Sequence, residues 1–138
     1  MPTKEAERKL RDLDVAAIYL FGSRAYEISS PISDFDFGIL LNNPERVKEN
    51  SLEMYNALYD ILSPLTRPET LAADVIDIVF LDSPRVPLEL KAHIVRHGKL
   101  IFDANPRRRV DAEEYLMEAY CDFRPLLDLF DRALLAKI

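Results

Sequence analysis

Residues 33–41 read SDFDFGILL, with two acids at the start of an apolar run. Side chains alternate between the two faces of a strand, so Asp34 and Asp36 lie on one face while Phe35 and Phe37 point into a core on the other. Two carboxylates this close repel each other unless a cation lies between them. Mg²⁺ binds one or two carboxylates together with phosphate oxygens of a substrate. The segment therefore predicts a strand that carries a magnesium site.

A turn suited to phosphates comes before this strand. Gly22 and Ser23 directly follow seven apolar residues, 15–21, that predict a strand buried on both faces. Gly22 has no Cβ to block a phosphate, and the Ser23 hydroxyl can donate a hydrogen bond to one. Arg24 adds positive charge to the turn. Ser33 is a further candidate for nucleotide binding, with capping of the turn before the acids as its structural alternative.

A third acid interrupts the apolar segment VIDIVFL, residues 75–81. An unpaired carboxylate inside such a strand costs roughly several kcal/mol or becomes neutral, whereas a metal removes the cost. Pairing with a buried arginine, or capping of a neighbouring backbone, is the structural alternative. If the strand lies beside residues 34–41, Asp77 faces the same cleft as Asp34 and Asp36. Three carboxylates beside a phosphate turn suit two-metal nucleotidyl transfer, in which Asp77 can also take a hydroxyl proton.

Caps, periodicity and prolines predict the other elements. We expect a helix capped by Thr3, and strands at 15–21, 34–41, 74–81 and 99–102. A second helix should run from Asn43-Pro44 to about Leu62, where Ser63-Pro64 ends it, and a third from Pro87 to about Arg96. A C-terminal helix should begin at about Pro106 and be kinked or interrupted at Pro125. This order predicts an α/β (α+β) domain spanning residues 1–138, with a small mixed sheet and helices packed mainly on one face.

Composition narrows the function classes. The chain has 138 residues, a formal net charge of −6 and a sequence pI near 4.9, which argues against a general nucleic-acid binder. Residues 107–109 are three consecutive arginines, which we interpret as a solvated helix face, with a contact to a partner or RNA as the alternative. No membrane span or signal peptide is evident, and the single Cys121 suits a reducing compartment. We expect a cytoplasmic protein.

Together, Gly22-Ser23-Arg24-Ala25, Ser33-Asp34-Phe35-Asp36 and the later Asp77 resemble the signature of the minimal nucleotidyltransferases (MNT) of the DNA polymerase beta superfamily. The resemblance implies a polymerase beta-like fold, a triphosphate held by the Gly-Ser turn, and two Mg²⁺ ions held by the three acids. It also implies ATP as the substrate. Members of this size are commonly antitoxins paired with a HEPN ribonuclease toxin, and transfer AMP to a tyrosine of that toxin.

Glu27 departs from the family pattern, which usually has a glycine at this position. An acid near the triphosphate would weaken nucleotide binding. The departure leaves open a second function, in which the protein neutralises its toxin by binding alone. Transfer to a small molecule or to tRNA is disfavoured, because those enzymes usually add a second substrate-binding domain.

Overall fold

The computed structural model describes residues 3–21, 35–66 and 76–136. Within these ranges, four helices and four strands follow one another: α1 (Lys4–Asp12), β1 (Val15–Phe21), β2 (Phe35–Leu41), α2 (Glu45–Thr66), β3 (Ile76–Phe80), α3 (Leu88–His97), β4 (Lys99–Asp103) and α4 (Pro106–Ala136).

The four strands form one mixed sheet in the order β3-β2-β1-β4. β1 runs antiparallel to both of its neighbours, β2 and β4, whereas β2 and β3 are parallel. α2 makes the connection between the two parallel strands, as a parallel pair requires a crossover. The predicted α/β fold with a small mixed sheet is confirmed.

The helices cover both faces of the sheet, two on each, and not mainly one face as we expected. Leu10 of α1 and Leu58 of α2 pack in one buried cluster with Phe37 of β2. Ile94 of α3 and Ala112 of α4 belong to a second cluster on the opposite face. The reason lies in β1, whose apolar side chains point to both faces and need cover on each.

Capping and close packing fix the ends of two helices. The Thr3 hydroxyl accepts a hydrogen bond from the backbone N–H of Ala6 at 3.2 Å, which is the predicted N-cap of α1. At the end of α3, the N–H of Gly98 donates to the carbonyl of Ile94 at 2.7 Å. Gly98 has an extended backbone, and a Cβ at this position would collide with that carbonyl and lie 3.2 Å from Cβ of Tyr19. Glycine is therefore required at this position by the close approach of its neighbours, and not by a left-handed backbone conformation.

Two helix boundaries differ from the sequence predictions. α2 continues past Ser63-Pro64 to Thr66, so Pro64 lies in its last turn and removes only one hydrogen bond near the helix end. α4 begins at Pro106 as predicted and is continuous through Pro125, where an interruption was one expectation. Within the described ranges, no helix has the length and apolarity required to cross a membrane.

Candidate functional site

Asp36 and Asp77 lie directly opposite each other on the parallel strands β2 and β3. Residues at paired positions of neighbouring strands point to the same face, and such strands are about 4.8 Å apart. Phe37 and Ile78, the next residues along each strand, pack into the cluster on the α1/α2 face. The two acids therefore point to the α3/α4 face. Asp36 is half-buried and Asp77 is exposed. We call these two residues the acid pair.

The acid pair lies where β1 ends and where β2 and β3 begin. Phe21, the last residue of β1, is the register partner of Asp36. The residues predicted to complete the site on this side of the sheet are outside the described residues: Gly22, Ser23, Arg24, Ser33 and Asp34. Their roles stay predictions, and the structure brings together two of the seven predicted site residues.

The acid pair suits a divalent cation. Like charges directly opposite each other on neighbouring strands are destabilising, and the Asp77 side chain forms no hydrogen bond or ion pair with another described residue. Carboxylate oxygens are the ligands that Mg²⁺ takes, one or two at a time, beside substrate phosphates. No cluster of three or more metal-ligating side chains occurs within the described ranges, which do not include Asp34. The donor set that is described fits a magnesium ion shared with a substrate.

Besides the acid pair, a further acid at the other end of this face has a structural role that the sequence did not predict. Asp82, which lies just after β3, accepts hydrogen bonds from the N–H of Leu41 at 3.1 Å and from the Arg108 guanidinium at 2.7 Å. Arg108 also donates through Nε to the Leu41 carbonyl at 3.0 Å. Burial raises the pKa of Asp82, and the arginine and the Leu41 N–H oppose that rise. This pair joins the ends of β2 and β3 to α4.

The neighbouring arginine also pairs within the fold. Arg109 donates to Asp103 of β4 at 3.0 Å and to Glu113 at 2.6 Å, and Glu113 accepts the Tyr19 hydroxyl at 3.0 Å. Burial, followed by the nearby Glu113, raises the pKa of Tyr19. Two of the three arginines predicted to form a solvated face therefore attach α4 to the sheet. The signal was present in the sequence as acids at the ends of the predicted strands.

Comparison of the sequence with known families gives one match. The profile described as Polymerase beta, Nucleotidyltransferase matches residues 4–107. The chain belongs to the polymerase beta nucleotidyltransferase family. The match includes every predicted site residue and confirms the superfamily that the motifs indicated. Among curated proteins, none is significantly similar to this chain.

Solved structures of toxin–antitoxin complexes share the fold. A chain from a toxin–antitoxin complex with AMP-PNP is 20% identical, with a TM-score of 0.59, and the similarity covers 91% of this chain and 97% of that one. A chain from the complex of tri-AMPylated Shewanella oneidensis HEPN toxin with MNT antitoxin is 19% identical, with a TM-score of 0.50, covering 91% and 95%. At this level of identity the likeness shows the fold.

Proposed function

We propose that this protein is a Mg²⁺-dependent nucleotidyltransferase that transfers AMP from ATP to a tyrosine hydroxyl of a partner HEPN ribonuclease toxin, and so acts as its antitoxin. The observation that carries the proposal is the alignment of Asp36 with Asp77 on neighbouring parallel strands of a nucleotidyltransferase-family domain.

The acids of the site have distinct roles in this proposal. Asp34, Asp36 and Asp77 hold the metal through carboxylate oxygens. When bound, divalent ions neutralise charge on the phosphates and orient the attacking oxygen. Asp77 is the more exposed member of the acid pair, and is therefore the better placed to accept the proton of an incoming hydroxyl. Asp36, half-buried beside β1, is the more firmly positioned of the two.

The nucleotide and the acceptor are assigned from the motif and from the likeness to known complexes. Gly22, Ser23, Arg24 and Ser33 seat the triphosphate. Solved structures with this fold include a complex with AMP-PNP and one with an AMPylated HEPN toxin, which supports ATP as the donor and a toxin as the acceptor. A net charge of −6 suits a basic partner surface.

Transfer of label from ATP tests the proposal directly. The protein is incubated with its gene-neighbour partner, α-labelled ATP and Mg²⁺, and label on the partner is quantified. We expect transfer by the wild type, none with EDTA, and at least about 100-fold less with Asp36→Asn. Asp111→Asn removes an exposed acid from α4 and serves as the matched control, with activity unchanged.

The second candidate is an antitoxin that acts by binding alone, which the acid at Glu27 favours. It makes a different forecast for the same experiment. If the partner is bound and inhibited but never labelled, the transferase proposal fails and the binding function stands. A Glu27→Gly variant that acquires transfer would show that this residue limits nucleotide binding.

A further inference from the structure

A cleft of about 480 Å³ lies at the opposite end of the α3/α4 face from the acid pair. Its floor is the end of β2 and the residue after β3, with Leu40 and Leu81 both buried. Lys91 of α3 and Arg108 of α4 line the two sides. Its volume is within the range of small-ligand pockets, about 300–1,000 Å³.

The distance between the cleft and the acid pair follows from β3. Asp77 is near the start of this strand, and Asp82 lies five residues further along the chain, in the cleft. At a rise of roughly 3.3 Å per strand residue, the three steps from Asp77 to Phe80 span about 10 Å, and Asp82 lies beyond them in the turn after β3. The cleft is thus separate from the acid pair.

Lys91 carries a charge that forms no direct ion pair within the described part of the fold. Its side chain is partly buried, and it forms no hydrogen bond or ion pair with another described residue. Burial lowers the pKa of Lys91, and Asp82 opposes the shift. A partly desolvated ammonium group in a cleft attracts an anion, because the anion restores the interactions lost from water.

The other charges of the cleft leave Lys91 available. Asp82, with only 10% of its side chain exposed, is held by the Arg108 guanidinium at 2.7 Å. Asp111 is exposed on α4, where solvent and salt weaken its repulsion of an incoming anion. Neither acid therefore forms an ion pair with Lys91.

Apolar groups surround this charge. Ala112 and Leu116, one turn apart on α4, are buried at the wall, next to Leu40 and Leu81 on the floor. Tyr115 lies at the rim with 72% of its surface exposed. An apolar body can contact the wall and the floor while its charged group meets the lysine.

We infer that this cleft binds a small organic anion, with a carboxylate or phosphate group on an apolar body, through the Lys91 ammonium. The inference is independent of nucleotidyl transfer, because it rests on residues at the other end of the sheet. The two anionic groups share one chemistry, so the test includes a probe for each.

The test is a titration of the ¹⁵N-labelled protein in EDTA, followed by amide chemical shifts, with benzoate, phenyl phosphate and the neutral benzyl alcohol as probes. We expect at least one anion to give saturable shifts confined to residues 81–82, 91, 108 and 111–116. Benzyl alcohol should bind at least tenfold more weakly. The tighter of the two anions identifies the preferred group.

Two variants separate a site from general attraction. Lys91→Met removes the charge and keeps a long apolar side chain, and we expect binding to weaken at least tenfold. Lys99→Met makes the same change at an exposed position on β4 and should bind as the wild type does. Amide spectra of both variants check that they are folded. Absence of saturable shifts at the cleft, or equal binding by Lys91→Met, would overturn the inference.

Discussion

The two ends of the α3/α4 face use the same residue type in opposite ways. At the start of β2 and β3, Asp36 faces a second acid, Asp77, across the strands. At the other end, Asp82 is held by Arg108 and by the backbone N–H of Leu41. At the first end two like charges lie opposite each other, and at the second end an acid and an arginine form an ion pair.

This difference distinguishes an acid that the fold uses for stability from the acids that we propose bind a metal. The Asp82 carboxylate has partners supplied by the fold, so removing it leaves a guanidinium and an N–H without an acceptor. Asp77 has no side-chain partner among the described residues, so replacing it should relieve repulsion from Asp36 without breaking a contact to any of them. A bound cation would offset the repulsion between these two acids, as the proposed function requires.

The largest expected effect is on AMP-transfer activity, which should depend on the acid pair. Asp77→Asn should reduce AMP transfer at least about 100-fold, because it removes both a metal ligand and the proposed proton acceptor. Its free energy of unfolding, measured in urea, should equal or exceed that of the wild type. Asp111→Asn is the control for loss of one acid. A strongly destabilised Asp77→Asn variant would show that the residue is structural, which contradicts the assignment.

For stability we expect the opposite order: replacing Asp82 should have a larger effect than replacing a member of the acid pair. Asp82→Ala should lower the free energy of unfolding by about 2–4 kcal/mol, because Arg108 and the Leu41 N–H lose their shared acceptor. Urea denaturation measures this change, and Asp77→Ala provides the matched comparison. Equal stabilities of the two alanine variants would remove the distinction between the ends.

Gly38 tests the packing between the ends. A Cβ at this position would lie 2.8 Å from Cγ2 of Ile94 on α3. We expect Gly38→Ala to cost about 1–3 kcal/mol through overpacking. Ile94→Leu moves the branch away from Cβ, so the double variant should recover part of the loss. Strictly additive losses from the two changes would exclude this contact as the cause.

Tyr19 gives the smallest effect and a pH dependence. Tyr19→Phe removes the hydrogen bond to Glu113 and should cost about 1 kcal/mol near neutral pH. Because the folded state raises the pKa of Tyr19, its contribution is complete below the ordinary tyrosine pKa and is lost as the pH rises above it. Urea titrations from pH 8 to 11 should therefore show a steeper alkaline loss for the wild type. Parallel pH profiles would contradict the raised pKa.

Local sequence signals predicted the elements that carry the acid pair. The alternation of acids and aromatic residues predicted the strand that contains Asp36. The presence of one acid within an apolar segment indicated that Asp77 is a site residue. The parallel register that aligns them was not readable, because strand pairing depends on a crossover and not on either strand alone. The structure supplied that alignment.

Long-range contacts were the part that the sequence did not reveal. Asp82 and Arg108 are 26 residues apart, and neither residue alone signals that the other is near. The prediction that the helices pack mainly on one face of the sheet was wrong. The apolar residues of β1 indicate burial on both faces, and such burial requires helices on each face of the sheet.

The most direct test of the account is metal binding by the acid pair. Isothermal titration of the wild type with Mg²⁺ in the presence of AMP-PNP should give saturable binding. We expect Asp36→Asn and Asp77→Asn each to weaken it at least tenfold, while Asp111→Asn leaves it unchanged. Equal Mg²⁺ affinity in all four proteins would contradict the claim that these two aligned carboxylates form a metal site.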